Sequence, residues 1–231
     1  MKIATTTITD VFFDLDHTLW DFEKNSALAF ENVFQEQNLS ISLPDFLKFY
    51  VPINFKYWEQ YRKNLITPEE LRFGRLKETF DLLEIEIEDH DIIFLSEQYI
   101  FHLPKYNHLF DGALDILEYL KPKYNLHIIT NGFADVQNKK LNNSALSHYF
   151  KTVTNSESAG VKKPNFLIFE FALKLAKANK ENSIMIGDCI EADVRGALNA
   201  GLDAIYFNEN NVLVEKEIKQ VNHLSGLKKY L

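Results

Sequence analysis

Five short apolar runs, and one long interval without any, constrain the fold of this chain more than any other feature. "VFFD" (11–14), "LHIIT" (126–130), "KTVTN" (151–155), "SIMIGD" (183–188) and "DAIYF" (203–207) are rich in β-branched and aromatic residues and read as buried strands. Segments of helical period separate the last four. "NFLIFEFALKLAKA" (165–178) sets Phe166, Phe169, Leu173 and Ala176 on one stripe behind Pro164, and "EADVRGALNAG" (191–201) closes on Gly201. Strands alternating with helices predict βαβ units and a mostly parallel sheet buried on both faces. From about 21 to 104 only amphipathic helical stretches occur. Phe22, Ala29, Phe30 and Val33 share a face there, and Thr67, Pro68 and Glu70 form a capping-box start. An interval of roughly 80 residues far exceeds an ordinary connection, so it is read as an inserted helical domain.

The chain of 231 residues is long enough for one large domain with such an insertion. Its 19 Phe and 10 Tyr predict aromatic-rich cores, with an aromatic-lined pocket as a further use of them. A net charge of −8 argues against a surface for nucleic-acid polymers. The single cysteine, Cys189, excludes an intrachain disulfide and fits a reducing compartment. It reads as a small, partly buried thiol. No stretch reaches the roughly 20 apolar residues that span a bilayer, and Asp10 interrupts the first apolar run, so neither a membrane segment nor a signal peptide is expected. The expected location is cytoplasmic.

Ligands of open parallel sheets bind beyond the carboxyl ends of the strands. At those ends the sequence sets Asp14, with Asp16 and Thr18 just beyond; Thr130, with Asn131 and Gly132; Lys163, before Pro164; and Asp188, with Asp193 five residues later. Two carboxylates closing the first strand are costly in an apolar setting unless a charge partner meets them. Each residue type has a task if the substrate is a phosphate monoester. Hard oxygen ligands suit Mg²⁺, one carboxylate can act as nucleophile, and a second can shuttle the proton. Lysine, hydroxyl and amide donors can stabilise the transferring phosphoryl group.

"DLDHT", "TNG", "KKP" and "GDCIEAD" follow the order and spacing of the four motifs of the haloacid dehalogenase (HAD) superfamily, and the helical interval resembles its C1 cap. The resemblance covers essentially the whole chain. It implies a Rossmann-like three-layer α/β core formed by residues 1–20 and 105–231, with an all-α cap over 21–104 that closes on the site. It further implies that Asp14 is the nucleophile and that Asp16 is the general acid/base, its backbone carbonyl also facing the metal. Thr130 and Lys163 would hold the phosphoryl group, Lys163 being the lysine next to the proline, with Asn131 and Gly132 beside them. The Mg²⁺ ligands would be Asp14, Asp16 and Asp188, supported by Asp193. The second motif-one aspartate, Asp16, is absent from the namesake dehalogenases, which points to phosphoryl transfer. Glu191 is read as serving its helix terminus, and His17 receives no role.

"INFKYW", "ITPEELRFGR" and "TNGF" resemble the bacterial pyrimidine 5'-nucleotidases of the superfamily, through Asn54, Trp58, Gly74 and Arg75. The implied substrate is a nucleoside 5'-monophosphate, pyrimidine or noncanonical, taken by a monomer or weak homodimer. Two readings of the cap residues stay open. Trp58 can stack on a base or pack with Tyr61, and Arg75 can meet substrate or pair with Glu70 or Glu78 on a helix surface. The alternative activities are a sugar-phosphate phosphatase, a phosphomutase resembling β-phosphoglucomutase and, more remotely, a phosphorylatable receiver-type signalling module.

Overall fold

The computed structural model describes residues 7–231. It forms two compact units: residues 7–21 together with His108–Leu231, and Phe22–Asn107. In chain order the elements begin with β1 (Asp10–Phe13), followed by helices α1 (Phe22–Glu36), α2 (Leu43–Arg62), α3 (Pro68–Leu82) and α4 (Asp89–His102). Then come α5 (Ala113–Leu120), β2 (Asn125–Thr130), α6 (Ala134–Asn143), β3 (Thr152–Asn155), the one-turn α7 (Ser156–Ala159) and α8 (Phe166–Ala176). The chain finishes with β4 (Ser183–Gly187), a π-helical turn (Ile190–Arg195), α9 (Gly196–Ala200), β5 (Asp203–Phe207) and β6 (Gln220–Val221).

The six strands pair in the order β3-β2-β1-β4-β5-β6, every neighbouring pair parallel. Phe12 and Phe13 point to opposite faces of central β1, and both are fully buried. Both faces of the sheet are therefore covered, giving the α/β, Rossmann-like core. One face packs Phe12, Ile129 and Met185 against Ile168 and Phe169 of α8 and Ala197 of α9. β6 is only two residues long, too short to leave a strand pattern in the sequence.

Two local expectations need correction. Phe166 is half exposed rather than part of the buried stripe of α8, because it occupies the first turn, where the Asn165 side chain caps the Leu167 N–H. The buried face is instead Ile168, Phe169, Ala172 and Leu173. The segment expected as one helix over 191–201 starts as a π-helix and becomes α-helical only at Gly196, ending on Gly201 at φ +87°. The wide first turn arises at Cys189, whose carbonyl accepts from the N–H groups of both Asp193 (2.9 Å) and Val194 (3.3 Å).

In the helical unit, the Thr67–Glu70 capping box forms as expected, at 3.2 and 2.8 Å. Its core explains much of the phenylalanine content. Phe30 stacks on Tyr99 with centroids 4.1 Å apart and meets Tyr50 and Phe46 at 4.6 and 4.7 Å. No helix among the described residues is long and apolar enough to cross a membrane.

Candidate active site

Strand order reverses between β1 and β4, and such a switch point opens a crevice at the carboxyl ends. Asp14 is the first residue past β1 and Asp188 the first past β4, so chain connectivity alone carries both acids there. The Asp14 N–H still donates to Ile186 O at 2.9 Å, which fixes its backbone to the neighbouring strand. Lys163 reaches across from the loop before α8. Its Nζ donates to Asp14 Oδ1 and to Ile129 O, each at 2.7 Å, and stands 2.6 Å from Asp193 Oδ1. The other oxygen of Asp193 accepts the Cys189 N–H at 3.0 Å. Asp193 lies against the backbone of Gly187, where a Cβ would stand 2.3 Å from its Oδ2, so only glycine ends β4 without displacing that carboxylate. Asp188 Oδ1 accepts from the Thr18 hydroxyl at 3.1 Å.

Asp14, Asp188 and Asp193 can each turn an oxygen to within 4.8 Å of the others. Lys163 is the cation that meets Asp14 and Asp193, and all three side chains are buried. Burial pushes Asp14 well above the ordinary carboxylate range; Lys163 opposes this, and Asp193 and Asp188 add to it. Burial likewise raises Asp188 to about 7, with Asp193 adding and Lys163 opposing. For Lys163 burial works to discharge the ammonium, but Asp14 and Asp193 outweigh it and hold its pKa above the usual lysine value. Three crowded carboxylates facing one lysine are an oxygen donor set that a hard divalent cation fits, since it relieves repulsion the lysine only partly offsets.

Asp16 faces elsewhere. Its Oδ1 accepts from Lys140 Nζ at 2.5 Å and its Oδ2 from Gln137 Nε2 at 2.8 Å. Gln137 Nε2 also reaches Thr130 Oγ1 at 2.7 Å, and the Gly132 N–H donates to the same hydroxyl at 3.1 Å. Asp16 and Thr130 are thus brought together through α6, which the sequence reading did not connect to the site. His17 sits at φ +61° and donates its N–H to Trp20 O at 3.0 Å. The left-handed residue turns the chain sharply between Asp16 and Thr18, and histidine is among the non-glycine types enriched there. That backbone turn gives His17 a structural role.

The Asn131 side chain is engaged within the protein on both of its polar atoms. The amide clamps the backbone of Lys163, donating to its carbonyl at 3.0 Å and accepting its N–H at 2.8 Å. Glu191 pairs with Arg195 at 3.3 Å on an exposed surface.

Asn54, Trp58 and Arg75, the substrate-binding candidates of the helical unit, separate by burial, the first and last being buried. Arg75 is 2% exposed, which corrects the surface ion pair considered for it. Its Nη1 donates to Asn54 Oδ1 at 2.9 Å, and the guanidinium stands 5.2 and 5.8 Å from the Tyr99 and Tyr50 ring centres. Glu70 is taken by the capping box and Glu78 by Lys56 at 2.7 Å. Trp58 is half-buried and meets Tyr61 edge-on at 5.6 Å.

The profile describing haloacid dehalogenase-like hydrolases matches residues 11–207. Among curated proteins, the chain is 33% identical to the pyrimidine 5'-nucleotidase PynA of Streptococcus pneumoniae, over 87% of this chain and 84% of that protein. It is 31% identical to the pyrimidine 5'-nucleotidase YjjG of Escherichia coli, over 87% and 86%. Among solved structures, the HAD-hydrolase YfnB of Bacillus subtilis, bound to magnesium, aligns with a TM-score of 0.88 at 28% identity, over 97% of this chain and 99% of that one. The chain belongs to the haloacid dehalogenase-like hydrolases and is an enzyme of that family.

Proposed function

We propose that the chain is a Mg²⁺-dependent phosphomonoester hydrolase that acts through an aspartyl-phosphate on Asp14, with a pyrimidine nucleoside 5'-monophosphate as substrate. The observation that carries the chemistry is Asp14 itself: a buried carboxylate at the switch point, one oxygen tied to Lys163, crowded by Asp188 and Asp193. The likeness to PynA and YjjG supports the nucleotide.

Asp14, Asp188 and Asp193, with the backbone carbonyl of Asp16, would hold the Mg²⁺, and a bound ion would supply charge neutralisation for these acids and for the phosphate oxygens. With Oδ1 engaged by Lys163, Oδ2 of Asp14 is the oxygen that attacks phosphorus. As the bond from phosphorus to the ester oxygen breaks, Asp16 delivers its proton to the departing alkoxide, which leaves as the nucleoside alcohol. Asp16, now a carboxylate, takes a proton from water as that water attacks the phosphorus. Inorganic phosphate departs, Asp14 is a carboxylate again, and Asp16 is re-protonated. The Lys163 ammonium and the Thr130 hydroxyl stabilise the phosphoryl oxygens. Phe22–Asn107 is the cap of this enzyme.

Phosphate release from uridine 5'-monophosphate and from p-nitrophenyl phosphate tests the reading. Asp14→Asn abolishes both activities, and wild-type protein prefers the nucleotide to hexose phosphates. Near wild-type turnover by Asp14→Asn would sink the mechanism, and a preference for a hexose phosphate would sink the substrate.

A further inference from the structure

Lys140 is 2% exposed, a burial that ammonium groups tolerate only with a charge partner. It lies on α6, whose sequence "ADVQNKKLNN" is polar, so nothing in its pattern marks the fourth-from-last residue as an interior one. Its partner is Asp16, at 2.5 Å. Its Nζ also stands 4.2 Å from the Trp20 ring centre, and Trp20 closes the turn that starts at Asp16. One helical turn earlier, Gln137 holds the other oxygen of Asp16. The two carboxylate oxygens therefore each have a donor, both from one helix face at i and i+3. A carboxylate with one tether can swing about its Cβ–Cγ bond; with two it has a single orientation.

We infer that Lys140 is a positioning residue: together with Gln137 it fixes the direction in which Asp16 presents its carboxyl group to the leaving oxygen. The inference rests on the reading of Asp16 as proton shuttle given above. Gln137 extends the same device to Thr130, so the proton shuttle and a phosphoryl-holding hydroxyl are set by one amide nitrogen. Lys140 does not touch the reacting atoms; it acts through Asp16.

A positioning role has a signature that a merely structural ion pair lacks. Proton donation matters most when the leaving alkoxide is a strong base, and little when it is p-nitrophenolate. Lys140→Met is expected to lower kcat/KM for uridine 5'-monophosphate by about a hundredfold, the lower range for proton-transfer catalysis, and that for p-nitrophenyl phosphate several-fold less. In an Asp16→Asn background the same substitution is expected to cause no further loss, because the residue it acts through is already disabled. Equal losses on the two esters, or a further loss in the Asp16→Asn background, would overturn the inference. If Asp16→Asn alone shows no greater loss on the nucleotide than on the nitrophenyl ester, the proton-shuttle reading falls first and takes this inference with it. Should Lys140→Met not fold, as judged by its melting curve, Lys140→Gln, a shorter polar side chain that withdraws the ammonium from Asp16, undergoes the same comparisons with the same outcomes expected.

Discussion

Asn131 grips Lys163 by its backbone on both sides, its amide nitrogen on the carbonyl at 3.0 Å and its amide oxygen on the N–H at 2.8 Å. Asn131 follows β2, and Lys163 lies 32 residues later, so the clamp ties the lysine to the strand end next to Asp14. It lets an ammonium carried on a long, flexible stem arrive at a fixed point.

Asn131→Ala leaves two buried backbone groups of Lys163 without their partner, at about 1–3 kcal/mol of stability. A displacement of the ammonium by an ångström is expected to lower kcat by about a hundredfold. Thermal melting and phosphate release measure the two effects separately. Asn131→Asp keeps the acceptor for the N–H but not the donor to the carbonyl, so it should fall between wild type and alanine. Wild-type turnover in Asn131→Ala would show that Lys163 needs no clamp.

The raised carboxyls make stability depend on pH in a defined direction. Asp188, lifted to about 7, and Asp14, lifted well above its ordinary value, bind protons more tightly in the folded than in the unfolded chain. Their contribution is therefore present below the unfolded carboxylate range near 4 and is lost as pH rises through about 7. A divalent cation reverses the loss because it binds the ionised forms. The difference in melting temperature between protein in excess Mg²⁺ and protein in chelator should widen from pH 5.5 to pH 8. A difference that is flat or narrows with pH would contradict the assignment of these carboxyls to the metal site.

Arg75 separates its two sequence readings by stability. Its guanidinium fills space against Tyr50 and Tyr99 and bonds Asn54. Arg75→Ala removes that packing and leaves Asn54 Oδ1 without its donor, so a loss of about 3 kcal/mol is expected in urea unfolding. Unchanged stability combined with a lowered kcat/KM for nucleotides would instead make Arg75 a substrate contact.

Much of the core was legible because its signals are local. A parallel strand buried on both faces shows itself as an apolar run, and a charge at its end is conspicuous against that background. Asp14 and Asp188 stand out that way and Thr130 closes the second run, whereas Lys163, in the loop before α8, is marked only by the proline beside it. Lys140 and Gln137 drew no reading, and the ion pair considered for Arg75 was on a helix surface, because a polar residue on a helix reads as solvated until its neighbours are known. The two-residue β6 and the π-turn before Gly196 likewise depend on contacts rather than pattern.

By itself, then, the sequence determined the parallel sheet, the helical interruption and which strands end in acids, since apolar period and chain order act residue by residue. Only the tertiary structure decided what each acid faces. It turned Asp14 to Lys163 and Asp16 to Lys140, 149 and 124 residues away, and it buried both lysines. Burial is what makes these pairings strong, since a charge taken out of water has no other partner, and burial is a property of the packed chain alone.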